Sequence, residues 1–249
     1  MIEFFGGNQV RRLSSLNGYT DFANEPYRYG VIPLNNGGTW SGAVPASCTL
    51  FVVQADTGSR FDVASHDVTL TARDSMQIEG GSQVTVTARG GGGLILVSGT
   101  PEPHAAPSVT VTPGAEQYRV AKPWGHEIWI NGEHPGYCLK EVHLKAGTRT
   151  SLQYHHFKRE TNVLFVGHIR LIYKINETVA NDDTGPEDLG AVELTPMSAI
   201  DVTPEVLHRI EALTDTTLYE VSTPHLDDVI RVSDDNARKH GRIAAEHKS

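Results

Sequence analysis

The chain has 249 residues with 21 Lys and Arg against 30 Asp and Glu, a formal charge of −9, and no basic run outside residues 238–242, so it offers no electrostatic footprint for nucleic acid or an anionic membrane. Hydrophobic residues at 39% and charged residues at only 20% exclude a charge-rich disordered chain. The two cysteines, Cys48 and Cys138, cannot build a disulfide framework and lack the spacing of a thiolate metal site; with no apolar run suited to a signal peptide or a membrane helix, a reducing, cytoplasmic location is expected.

Short runs rich in Val, Thr, Leu and Ile at 49–53, 68–72, 83–88 and 93–97 read as strands. Turn signals separate them at Asn35-Asn-Gly-Gly38, Glu79-Gly-Gly81 and Gly90-Gly-Gly-Gly93, a rhythm suited to an antiparallel sandwich or barrel. The Pro-rich stretch 100–107 reads as a linker, after which strands resume at 137–144, 150–154, 160–166, 169–174, 199–202, 208–212 and 217–221. An all-β chain of two domains follows, 1–108 and 109–249. Segment 176–190, with Asp182, Asp183, Glu187 and Asp188 around Gly185-Pro186, reads as a solvated loop, and weak helical periodicity is confined to 227–246.

Of the 12 histidines only His66 and His104 precede residue 110, and these two read as surface or packing residues. Histidine chemistry therefore belongs to the second half. Gln153 and His155 stand two apart on a strand, so alternation puts both on one sheet face. Residues 156–159 can turn the chain, letting Glu160 point back toward the same interior, and His208 can supply a fourth group. An amide oxygen, two imidazoles and a carboxylate suit Zn, Mn, Fe, Co or Ni. A His-His pair in a turn is ordinarily solvated and a strand Gln ordinarily bonds backbone, but the combined spacing weighs against that plainer reading.

The spacing of Gly147, five residues, Gln153-x-His155, four residues, Glu160, six residues and Gly167 resembles the first motif of the cupin superfamily, with Gln replacing its usual first His. Thr203-Pro-Glu-Val-Leu-His208 keeps the histidine offset of the second motif without its usual Pro and Gly positions. Five further matches, in order over roughly 119–235, resemble the type II, cupin-type mannose-6-phosphate isomerases: Lys122-Pro-Trp-Gly125, Lys140, Ser151-Leu-Gln-Tyr-His-His156, His208-Arg-Ile-Glu211 and Asp227-Asp-Val-Ile-Arg231. Phe157 stands where that family often has a third His, and Thr161-Asn162 replaces its His-Trp.

The resemblance implies a bicupin of two double-stranded β-helix (jelly-roll) barrels. The first, with Val84 where a metal histidine is expected, would be metal-free; the second would hold one divalent metal, Zn foremost and Mn, Fe, Co or Ni next, through Gln153, His155, Glu160 and His208. It implies aldose–ketose isomerisation of mannose 6-phosphate or a related sugar. Lys140, His156 and Glu211 are then candidates for the general base, and Trp124, Arg149, Lys158, Arg209 and Arg231 for substrate binding. Taken singly, each of those cations reads as a solvated surface charge and Trp124 as core. Two other readings stand beside the isomerase: a different metal cupin enzyme, such as an Fe or Mn dioxygenase using His155, Glu160 and His208 as a facial triad, and a non-catalytic sugar-binding or regulatory cupin. The expected partners are a small sugar or sugar phosphate and a second copy in a homodimer, not nucleic acid or a membrane.

Overall fold

Runs of β-branched residues broken every few positions by Gly-rich turns can satisfy their backbone groups only by pairing with one another, and they do so in the computed structural model of the chain. The structure describes residues 26–81, 83–174, 189–241 and 243, and the strand backbone alone at Ile2–Phe5, Asn8–Arg12 and Phe22–Asn24. Among the described residues the helical stretches are two three-residue 3-10 turns, Ala64–His66 and Gly114–Glu116, so the chain is all-β. No helix among them is long and apolar enough to cross a membrane.

The chain forms two compact units: residues 1–14, 119–129 and 140–249 in one, and 15–118 with 130–139 in the other. This interleaving differs from a single division after residue 108. The stretch 100–107 does not leave its unit, because Ser108–Thr112 returns to pair with Ser75–Glu79 of the same sheet. At the other end, Asn8–Arg12 pairs with Ser198–Val202, a ladder between residues 186 to 192 positions apart. Local sequence carries no mark of either pairing.

In the unit built mainly from the first half, a six-stranded and a four-stranded sheet share a core that includes Leu50, Phe61, Met76, Val86 and Ile95. In the other unit, one sheet runs in the order Ile2–Phe5, Asn8–Arg12, Ser198–Val202, Glu160–Val166, Thr216–Ser222, Cys138–Leu144, Gly125–Trp129 and Tyr118–Lys122. The second sheet runs Leu189–Leu194, Ile169–Lys174, His208–Ala212, Leu152–Tyr154 and Ile230–Ser233. Residues of both sheets, among them Val142, Leu164, Ile200, Leu171, Ile210 and Ala212, form one buried cluster. Apolar burial of this kind contributes roughly 25 cal/mol per Å² and decides which face of each strand turns inward.

Each strand expected from the sequence is present. Over the described part of 227–246, residues 227–241 and 243, the helical reading is not: Ile230–Ser233 is a strand paired with Leu152–Tyr154, the backbone ladder prevailing over a weak periodicity, and residues 242 and 244–246 lie outside the described residues. The solvated-loop reading of 176–190 lies outside the described residues, apart from 189 and 190, which open a strand. Gly167 shows why the sequence needs glycine between two core strands. Its φ is +100°, and a Cβ there would lie 2.4 Å from Thr216 Oγ1 and 2.5 Å from the Asp215 carbonyl.

The fully buried Phe61 sits in the first unit's core. Its replacement by Ala is expected to cost about 3–5 kcal/mol, read as a lower urea midpoint. A shift within about 0.5 kcal/mol of zero would contradict that packing role.

Candidate metal centre

Strand register assembles this site. Gln153 of Leu152–Tyr154 pairs with His208 on one side and with Arg231 on the other, so three residues far apart in sequence share one sheet face. After Tyr154 the chain turns and re-enters in the facing sheet as Glu160–Val166. Asp228 fixes that turn. Its carboxylate accepts the backbone N–H groups of His156 (3.1 Å), Phe157 (2.6 Å) and Lys158 (2.9 Å), and its carbonyl oxygen accepts Nδ1–H of His155. Burial alone would raise the Asp228 carboxyl, but the three N–H donors hold it below the usual range.

His155, Glu160 and His208 are buried, and one ligand atom from each lies within 4.8 Å of the others. His155 Nε2 stands 3.6 Å from Glu160 Oε2, and His208 Nε2 stands 3.2 Å from Glu160 Oε1. His208 donates its Nδ1–H to the Val206 carbonyl at 3.0 Å. With both Nδ1 atoms engaged by carbonyls, each ring turns its Nε2 toward the carboxylate. His155 Nε2 is buried with no hydrogen-bond partner. Burial first, and the nearby Lys158 ammonium second, push His155 down to about 4, so its ring is neutral at pH 7.

Two imidazole Nε2 atoms, one of them without a hydrogen-bond partner, and a carboxylate meeting in the buried wall of a cavity fit a bound divalent cation. The set fits Zn, Mn, Fe, Co or Ni without choosing among them. Gln153 borders the same cavity, its Oε1 accepting the Ser151 hydroxyl at 2.5 Å, and can add a fourth oxygen.

The cavity, about 100 Å³, is bordered by buried charge. Lys158 Nζ donates to Glu160 Oε2 (2.5 Å) and Glu220 Oε1 (2.7 Å), and Asn162 donates to Glu160 Oε1 (3.0 Å). Burial works against ionising Glu160, yet Lys158 foremost, with His208 and His155, holds it well below the carboxylate range. Glu127 accepts Trp129 Nε1–H at 3.0 Å and lies 3.4 Å from Lys122 and 3.9 Å from Lys140. Burial would raise Glu127, but Lys140 and Lys122 bring it down to about 2.

Of the sequence candidates, Gln153, Glu160, His208, Lys140, Lys158, Trp124 and Arg231 border this cavity, and His155 stands against it through Glu160. Lys158 is no solvated cation at a barrel mouth; its ammonium is buried between two carboxylates. His156 points away from the cavity to Glu205 (2.8 Å), with almost half its side chain exposed. Arg209 and Glu211 fall on the sheet face opposite His208 and Ile210, as alternation requires, and engage Asp235 and Arg170. Arg149 is an exposed partner of Asp235 at 2.6 Å. His156 and Glu211 therefore leave the set of candidate bases, and Arg149 and Arg209 the substrate set.

Phe157, 69% exposed against the rings of His156 and His225, does not enter the cavity, so its departure from the family pattern leaves the donors untouched. Glu205 takes the left-handed φ of +65° at the position where the family places Gly, and its N–H donates to the His155 carbonyl at 2.7 Å. The turn shape survives without the glycine. Sequence reading missed Glu127, Asn162 and Glu220, although period-2 alternation from Trp129 and Glu160 puts Glu127 and Asn162 on the cavity side.

Asp228→Ala removes the cap that orients the His155 turn and is expected to weaken metal affinity about 10–100-fold, measured by competition with a chelator, while circular dichroism keeps its β signature. For Glu127 the unfolded chain takes up the proton near pH 4.5 and the folded chain only near 2. Its stability contribution is therefore complete above about pH 4.5 and is lost as pH falls toward 2. Glu127→Gln is expected to flatten the acid limb of stability against pH by about 3 kcal/mol in that window.

No protein-family model matches the chain, and no curated protein matches it in sequence. Solved structures do match it in fold. The oxalate decarboxylase of Lactobacillus farciminis, in a formate complex, has 10% identity over 93% of this chain and 86% of its own, with a TM-score of 0.59. An IolB-like protein from Salmonella typhimurium has 13% identity, covering 86% of this chain and 92% of its own, with a TM-score of 0.64. The salicylate 1,2-dioxygenase of Pseudaminobacter salicylatoxidans has 12% identity, covering 83% and 76%, with a TM-score of 0.54. These neighbours tie the chain to no mannose-6-phosphate isomerase, and that finer resemblance rests on the sequence motifs. What they share with this chain is the cupin fold.

Proposed function

We propose that the chain is a divalent-metal cupin enzyme acting on a small, oxygen-rich anion. The observation that carries this reading is the convergence of the His155 and His208 Nε2 atoms on Glu160, with His155 Nε2 buried and without a hydrogen-bond partner. A metal held by His155, Glu160 and His208, with Gln153 as a fourth donor, supplies Lewis-acid polarisation of substrate oxygens. The protein's own residues do the rest. Asp228 and Val206 keep both imidazoles in the ligating tautomer, and Lys158 and Asn162 hold the Glu160 carboxylate in place. Neighbours named as a decarboxylase and a dioxygenase support metal-centred work on a carboxylate-bearing substrate.

Bicupin architecture, a metal-free first barrel and homodimerisation belong to the same proposal. A second reading, sugar-phosphate isomerisation, is favoured by one feature: beside Trp124, the cavity is bordered by Lys122, Glu127, Lys140, Asn162 and Glu220, which suit a hydroxylated, charged molecule better than a flat aromatic one. Lys140 is then the remaining candidate for moving the proton between adjacent carbons.

Protein purified without chelator is expected to carry about one divalent metal per chain by elemental analysis, and His208→Ala to lose most of it while staying folded. Oxygen uptake and decarboxylation with oxalate or salicylate, set against NMR-followed interconversion of mannose 6-phosphate and fructose 6-phosphate, separate the two chemistries. Full metal occupancy in His208→Ala would overturn the site.

A further inference from the structure

We propose that Lys122, Lys140 and Glu127 form an oxyanion subsite in this cavity, two ammonium groups set over one carboxylate to bind the phosphate or carboxylate head group of the substrate. The proposal rests on reading the cavity as the substrate site, and it concerns a charge cluster apart from Lys158, Glu160 and Glu220.

Register builds the cluster. Trp129 pairs directly with Lys140 across Gly125–Trp129 and Cys138–Leu144, and Glu127, two residues before Trp129, shares its face. The Lys140 ammonium lies 4.7 Å from the centre of the Trp129 ring, whose Nε1–H is donated to Glu127 Oε2 at 3.0 Å. The same oxygen is 3.4 Å from Lys122 Nζ and 3.9 Å from Lys140 Nζ. The lysine side chains are 7% and 9% exposed and the glutamate 12%, and all three border the cavity. One carboxylate oxygen and one indole thus position two cations.

The charge balance says what they await. The cavity is bordered by five cations, Lys122, Lys140, Lys158, Arg231 and Arg238, and by three carboxylates, Glu127, Glu160 and Glu220. Arg238 is held by Asp234 at 2.7 Å and Lys158 by Glu160 and Glu220, while Lys122 and Lys140 share the carboxylate of Glu127. Buried like charges repel, and an arriving anion offsets that cost. Ammonium groups are compact point charges that accept a phosphate or a carboxylate without demanding the paired geometry of a guanidinium.

The test titrates inorganic phosphate and oxalate calorimetrically into full-length protein of known metal content. Lys122→Met and Lys140→Met, compared with wild type at equal metal content, are each expected to weaken binding of the preferred anion about tenfold or more. Preference for phosphate assigns a phosphate ester, and preference for oxalate assigns a carboxylate. Glu127→Gln keeps an acceptor for Trp129, removes the competing charge and keeps both lysines, so it is expected to bind that anion about threefold tighter or better. This variant also guards against a lysine variant that fails to fold. Anion affinity unchanged in folded lysine variants, or lowered in Glu127→Gln, would overturn the subsite, as would wild type that binds neither anion. Absence of metal in wild type would instead count against the metal-enzyme reading and leave the anion comparison intact.

Discussion

Three potential ligand groups converge in the buried wall of the cavity: the Nε2 atoms of His155 and His208 and the carboxylate of Glu160. In a low-dielectric interior, leaving even one such polar atom unsatisfied, as His155 Nε2 is, costs about 1–3 kcal/mol. Folding alone gives the unpartnered His155 Nε2 no return, and the cation proposed above would complete the set. Lys158 neutralises the Oε2 side of Glu160, but its ammonium is shared with Glu220 and leaves the His155 lone pair unmet. The surroundings are arranged around that demand. Val206 and Asp228 lock the tautomers from behind, and the pairing of Gln153 with His208 joins strands more than fifty residues apart.

The fold and the site differ in how far they could be read from the chain. An alternating apolar strand such as 83–88 announces itself because a side-chain period of two is a local property. Gln153, His155 and Glu160 were legible for the same reason, lying within eight residues across one turn. His208 was found through its offset in a family motif, even though the glycine of that motif is Glu205 here.

What local sequence withheld was pairing and direction. The ladder between Asn8–Arg12 and Ser198–Val202, and the return of Ser108–Thr112 to Ser75–Glu79, depend on contacts that composition does not record. Lys158, a substrate-binding candidate that taken singly reads as a solvated surface charge, is drawn inward by two buried glutamates, one of them sixty-two positions away. Arg209 and Glu211 were misplaced for a correctable reason. Once His208 faces the cavity, alternation sends its odd-numbered neighbours to the other face, where Asp235 and Arg170 receive them.

The central claim is a cation shared by His155, Glu160 and His208, and anomalous diffraction from crystals of protein never exposed to chelator tests it most directly. The account predicts one strong anomalous peak about 2.0–2.2 Å from both Nε2 atoms and from a Glu160 oxygen. Crystals grown with excess divalent metal that show no peak there, or a peak only among other residues, would contradict it.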